Sequence, residues 1–169
     1  MALIQSIKGV KPKIPDTCFL AENSTVVGDV KIGQHCSVWY NAVIRGDVNS
    51  IEIGAETNIQ DGAVIHCTYQ KAPTKIGDRV SIGHKAIVHG CAIQDDVLIG
   101  MGAIVMDHAV IESGSIVAAG AIVTGGTRVE ANSIYAGIPA KRIKTVSEEN
   151  LEMIKRTAKN YMLYKTWID

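Results

Sequence analysis

Histidine is the residue whose number and spacing in this chain promise chemistry. Five are present: His35, His66, His84, His89 and His108. A neutral imidazole ligates transition metals, and near neutral pH it also serves as a general base. Three imidazoles around one ion, with a fourth position left open, make a catalytic zinc arrangement that lowers the pKa of a bound water towards neutrality. Whether any of these five meet depends on the elements that carry them.

Those elements follow a six-residue period. Ile14, Leu20, Val26, Ile32, Val38 and Ile44 lie six apart, and the series resumes at Ile53, Ile59 and Ile65 and again at Ile76, Ile82 and Val88. One residue is then dropped, and Ile93, Ile99, Val105, Ile111, Val117, Val123 and Val129 lead to Tyr135. Four residues past each anchor stands a small or β-branched residue, from Cys18 to Ser133, with Tyr69 as the exception and Ala92 assigned to the anchor Val88. Glycine often follows the anchor directly, as at Gly33, Gly54, Gly77, Gly83 and Gly100, which suits corners needing positive φ or close backbone approach.

A short fixed period sustained over most of a chain signals a solenoid, and a hexapeptide period a parallel β-helix with three repeats per triangular coil. An ordinary β-sandwich predicts no such constant phase. The expected fold is an all-β solenoid over residues 1–143, with residues 144–169 forming a C-terminal α-helix packed on it. Ser147 is the expected N-cap, Glu148 and Glu149 suit the first turn, and Leu151, Ile154, Ala158 and Tyr161 form one apolar stripe.

The coil register sorts the histidines. His66 and His89 each follow the third anchor of adjacent coils, so the two rings occupy one face about 4.8 Å apart, a spacing that suits two ligands of one ion. His84 lies two past Ile82 on the second face, up to roughly 16 Å of extended chain from His89. It reaches such an ion from a neighbouring copy. Metals at the shared edges of triangular prisms then imply a threefold ring. His35 and His108 read as solvated corner residues. Arg45 stands on the column of His66 and His89, and Asp61 is in line with His84, where a carboxylate orients an imidazole. Cys18 and Cys36 stack inside successive coils as small buried residues, and the four cysteines read as free thiols.

The segments IRGDVNSIEIG at 44–54, TNIQDGAVIHC at 57–67 and SIGHKAIVHGC at 81–91 resemble the gamma-class carbonic anhydrases. The resemblance runs over nearly the whole chain. It implies a left-handed β-helix; the general rule for parallel crossovers is right-handed, so the hand does not follow from the repeat. It further implies a homotrimer with metal sites at its subunit interfaces, zinc held by His66, His84 and His89, and reversible hydration of carbon dioxide to bicarbonate. Gln60 falls where the family places a glutamine beside the metal-bound hydroxide, and Asn58 on a nearby asparagine. Arg45, Asp47 and Asp61 fall on the residues that organise the interface, and Tyr161 on a tyrosine of the terminal helix that approaches the site. The family prototype carries acids in the loop after the first zinc histidine and beside the interface aspartate. Here the loop Cys67–Lys75 has none and Asp47 precedes Val48, which implies slow proton export.

Imidazole ligands suit iron or cobalt as well as zinc. Two other functions fit the fold: a hexapeptide-repeat acyltransferase with one histidine as base, and a metal-bearing thioesterase or scaffold subunit with the same ligands. Seventeen basic and 17 acidic residues leave no net charge to attract nucleic acid or an anionic membrane. The start MALIQSIKGVKPKIP has no long apolar run, so a soluble cytoplasmic protein is expected.

Overall fold

A computed structural model of the chain describes residues 1–168; residue 169, the last of the expected terminal unit, lies outside the described residues. Short strands stack in parallel ladders whose register reproduces the sequence phase. On one face Leu20 pairs with Val38, Val38 with Ile59, Ile59 with Ile82, Ile82 with Ile99, Ile99 with Val117 and Val117 with Tyr135. The chain is a left-handed parallel β-helix of about seven turns with one C-terminal helix. The other two faces form a single sheet because Thr25–Ile32 and Val43–Ile53 continue round a corner without interruption. Gly28 and Gly46 stack at that bend, and a Cβ on Gly28 would lie 2.2 Å from the Gly46 carbonyl oxygen.

The anchors fill the prism. Ile44, Ile65, Val88, Val105 and Val123 form one fully buried column, with small residues such as Ala42, Ala63, Ala86 and Ala103 in the corners between faces. Each buried Ile or Val contributes about 1.5–3 kcal/mol relative to its exposed state. The thin triangular section explains the poverty in aromatics. Two corners depart from the expected pattern. After Ile65 the insertion carries Tyr69 out to solvent, and Thr74, the register partner of Ile51, takes the buried place. After Val88 the missing residue moves the corner to Cys91, which is buried, and leaves Ala92 only half-buried.

The glycines after the anchors answer to only one of the two causes expected of them. They do not adopt positive φ; a Cβ on Gly33 would meet the Ala55 nitrogen at 2.6 Å, and one on Gly100 the Ala119 nitrogen at 2.4 Å. Stacked coils leave no room there. The left-handed residue comes three past the anchor instead, and includes Asn41, Glu56, Arg79, Lys85 and Asp96. His35 and His108 occupy this same corner position, both with φ of 62°, and are exposed.

Two strands lie outside the repeat. Leu3–Gln5 pairs in parallel with Thr25–Val27, and Lys141–Thr145 folds back antiparallel on Ser133–Ala136 to cover the last coil. The helix Glu148–Tyr164 follows, capped reciprocally: the Ser147 hydroxyl accepts from the Asn150 amide, and the Asn150 side chain accepts from the Ser147 amide. Ile154 is buried against Ile116 and Val146. Tyr161 meets Trp39 edge-on with ring centroids 5.3 Å apart, which fixes the helix along the second face.

Candidate metal centre

His66 closes the strand Val64–His66, and His89 closes Ile87–His89; the two are register partners in adjacent coils. Their rings lie together, with His66 Nδ1 3.0 Å from His89 Nε2. The outer nitrogen of each ring is held by a carboxylate. His66 Nε2 donates to Asp47 Oδ1 at 3.0 Å, and His89 Nδ1 donates to Asp107 Oδ1 at 2.5 Å. In a neutral ring a carboxylate fixes the proton on the nitrogen facing it, and with both rings neutral the inner nitrogens present lone pairs to one another. Two lone pairs at this distance repel unless a cation lies between them. Ligands on one tetrahedral zinc with ~2.0 Å bonds stand ~3.3 Å apart, close to the observed separation. The pair therefore fits a metal ion.

Asp47 in turn receives Arg45, whose guanidinium bonds its other oxygen. Burial pushes the Asp47 carboxyl up, but the bonds from His66 and Arg45 outweigh it and leave the group below the usual carboxylate range. Asp107 behaves alike: burial raises it, while bonds from Thr68 Oγ1, at 2.5 Å, and from His89 bring it lower. Asp107 and Thr68 escaped the reading of the sequence. The signal was present, since Asp107 lies two past Val105 on the column of Ile65 and Val88, one coil beyond His89.

His84 stands apart, on the face of the Ser81–Ile82 strand, as its position after Ile82 predicts. Its Nδ1 pairs with Asp61 Oδ2 at 2.9 Å, again leaving one ring nitrogen free. Among the described residues no three His, Cys, Asp or Glu side chains gather as one metal-binding group. A single chain brings together two of the three expected ligands.

Around His84 lies an apolar pocket of about 360 Å³, lined among others by Gln60, Leu98, Met101, Ile116 and Tyr161. Gln60 and Asn58 are buried neighbours: Gln60 Nε2 donates to Asn58 Oδ1 at 3.0 Å, and Asn58 Nδ2 donates to Ser81 Oγ at 2.8 Å. This chain commits the Gln60 amide nitrogen and leaves its carbonyl oxygen to the pocket. Burial, with the negative Asp61 nearby, pushes the Tyr161 phenol up to about 12, so it stays a donor at neutral pH.

Residues 11–46 and 90–125 match the family described as bacterial transferase hexapeptide (six repeats). A "Probable carbonic anhydrase" of Methanocaldococcus jannaschii is 56% identical over 143 residues, covering 85% of this chain and 89% of that one. Arabidopsis thaliana "Gamma carbonic anhydrase 2, mitochondrial" is 41% identical over 156 residues, or 89% of this chain; the match spans only 56% of that longer protein. The crystal structure of a "hexapeptide transferase family protein" from Anaplasma phagocytophilum superposes with a TM-score of 0.95 at 41% identity, covering 99% and 98% of the two chains. By these similarities, the chain belongs to the gamma-class carbonic anhydrase family of hexapeptide-repeat proteins.

Proposed function

We propose that this protein is a metal-dependent carbonic anhydrase, with zinc held by His66 and His89 of one copy and His84 of the next in a homotrimer. The observation that carries the reading is the pair of imidazole nitrogens facing at 3.0 Å, each ring backed by a carboxylate. The names of the relatives agree with it. When bound, such an ion supplies the Lewis acidity that makes water nucleophilic near neutral pH.

The chain's own residues do the rest. Gln60 accepts a hydrogen bond from the reacting water and turns its lone pair towards the carbon of carbon dioxide; Asn58 and Ser81 hold Gln60 in place. Leu98, Met101 and Ile116 offer an apolar surface to an apolar gas. Tyr161, protonated and wedged on Trp39, closes one wall. Arg45 steadies Asp47, and Asp47 steadies His66.

Exposed apolar residues support the assembly. Ile87 and Met106 lie beside His89, and Met101 beside His84, with 38%, 45% and 60% of their surfaces exposed. The two patches are different surfaces, so their contact is heterologous, and it closes as a ring of three where the rotation between copies is threefold. Covering one with the other brings His84 to His66 and His89. Because packing supplies this contact, a chelated protein should still scatter light as three subunits; a monomer after chelation would show that metal alone holds the copies together.

The four cysteines are free, which fits a reducing compartment such as the cytoplasm. Among the described residues no helix is long and apolar enough to cross a membrane.

Metal analysis of freshly purified protein, alongside stopped-flow hydration of carbon dioxide, tests the proposal. About one metal per chain and hydration abolished by chelation are expected. Fully metal-loaded protein without hydration would instead favour the thioesterase or scaffold role. The similarity to a transferase-family structure favours one further reading, acyl transfer. Acyl transfer with a single histidine base would survive chelation.

Asp107→Asn should weaken metal binding about 10–100-fold, as loss of a carboxylate behind a metal histidine commonly does. The variant should fold normally, since Asp107 remains a third exposed and touches the site only through His89 and Thr68. Equilibrium dialysis against a competing chelator reads this, and unchanged affinity would remove Asp107 from the site.

A further inference from the structure

In the first two coils, apart from the metal-site histidines, two cysteines stack in register. Phe19 pairs with Ser37, so Cys18 and Cys36 are the preceding partners, and the Phe19 amide donates to the Cys36 carbonyl. The thiols point the same way in successive coils: Cys18 Sγ donates to the Gly33 carbonyl at 3.1 Å and Cys36 Sγ to the Gly54 carbonyl at 2.9 Å. The two side chains are neighbours, each in the other's surroundings. Neighbouring strands run ~4.8 Å apart, inside the Cα separation that a disulfide spans.

The pair is asymmetric. Cys18 is half-buried and reachable, whereas Cys36 is 1% exposed behind it. A cation sits over the pair: Lys165 Nζ donates to the Thr17 carbonyl at 2.9 Å and the His35 carbonyl at 3.3 Å, the residues just before each cysteine. The other two cysteines lack the pairing, the half-exposed member and the lysine. Register sets Cys67 opposite Gly90 rather than Cys91, and both are buried.

We propose that Cys18 and Cys36 are a peroxide-reactive dithiol, with Cys18 the attacking and Cys36 the resolving thiol. The Cys18 thiolate attacks one oxygen of hydrogen peroxide; the O–O bond breaks, an S–O bond forms, and hydroxide leaves and takes up a proton as water. Sulfur has then lost two electrons to the peroxide. Cys36 gives up its proton and attacks the Cys18 sulfur; the S–O bond breaks, the S–S bond forms, and the hydroxyl departs with that proton as a second water. Two thiols and one peroxide become one disulfide and two waters, and a cellular dithiol reverses the change.

The acidities of the two thiols agree with these roles. The neighbouring Cys36 outweighs the effect of burial, and with Lys165 nearby brings Cys18 down to about 7. The neighbouring Cys18, together with burial, pushes Cys36 up and keeps it protonated. Burial raises Cys67, and raises Cys91 to about 12.

The test uses the full-length protein as purified. At neutral pH, iodoacetamide should label Cys18 at least about tenfold faster than Cys67 or Cys91, because only a thiolate reacts. Hydrogen peroxide should lower the intact mass by two hydrogens, and peptide mapping should find residue 18 joined to residue 36. In Cys36→Ser the same treatment should leave a sulfenic acid on Cys18, trapped by dimedone. Should that variant fail to fold, the wild-type labelling and mapping decide alone. Equal labelling of all four cysteines, a crosslink elsewhere, or over-oxidation of Cys18 without a crosslink would each overturn the proposal.

Discussion

Purified His89→Ala protein is expected to carry almost no metal and to lose on the order of 100-fold or more in hydration rate; His84→Ala should lose as much, although it stands on another face. Either residue alone leaves two imidazoles, too few for a three-nitrogen site. The two defects should complement each other. In trimers assembled at random from equal amounts of both variants, about one quarter of the edges pair an intact His66/His89 column with an intact His84. Refolded mixtures should recover metal and activity in that proportion, while each variant refolded alone recovers neither. Folded mixed trimers that bind no metal would rule out a site shared between copies, and a His84→Ala protein with full metal would place the third ligand elsewhere.

Turnover should be limited by the buffer. Each hydration releases a proton, and that proton must leave the pocket through a group that can reach it directly or through one water. The acids near the histidines are already engaged. Asp47 holds His66 and Arg45, Asp107 holds His89 and Thr68, and Asp61 pairs with His84. The adjoining loop offers Tyr69, 56% exposed and hydrogen-bonded by Gln70, in place of an acid. Raising an imidazole-type buffer at fixed pH and ionic strength should therefore increase kcat by roughly tenfold and leave kcat/KM almost unchanged. Tyr69→Glu or Gln70→Glu should recover part of that gain without added buffer. A high kcat indifferent to buffer would reveal a proton path that these residues do not provide.

The repeat was legible in the sequence because a stacked coil imposes one burial pattern on every turn. Inward anchors recur each six residues, so Ile65 over Ile44 and under Val88 could be read directly, and with them the pairing of His66 and His89. The same register set Asp61 beside His84, because residues equivalent in phase lie one strand spacing apart. Ser147 announced the helix through its cap.

Departures from the period were decided only by the folded chain. The insertion after Ile65 and the deletion before Ile93 move corners by a few residues, and packing alone chose Thr74 over Tyr69 and Cys91 over Ala92. The strand Lys141–Thr145 carries no anchor, since it is exposed and held by backbone bonds to the coil before it. Asp107 was passed over because a carboxylate on a solvent-facing corner looks like any other until the ring it holds is in place. The stacked thiols of Cys18 and Cys36 follow from phase, but the lysine above them comes from 130 residues further on. Periodic local sequence specifies how coils stack; only the closed prism, with its helix laid back along one face, decides which side chains distant in sequence come to share a site.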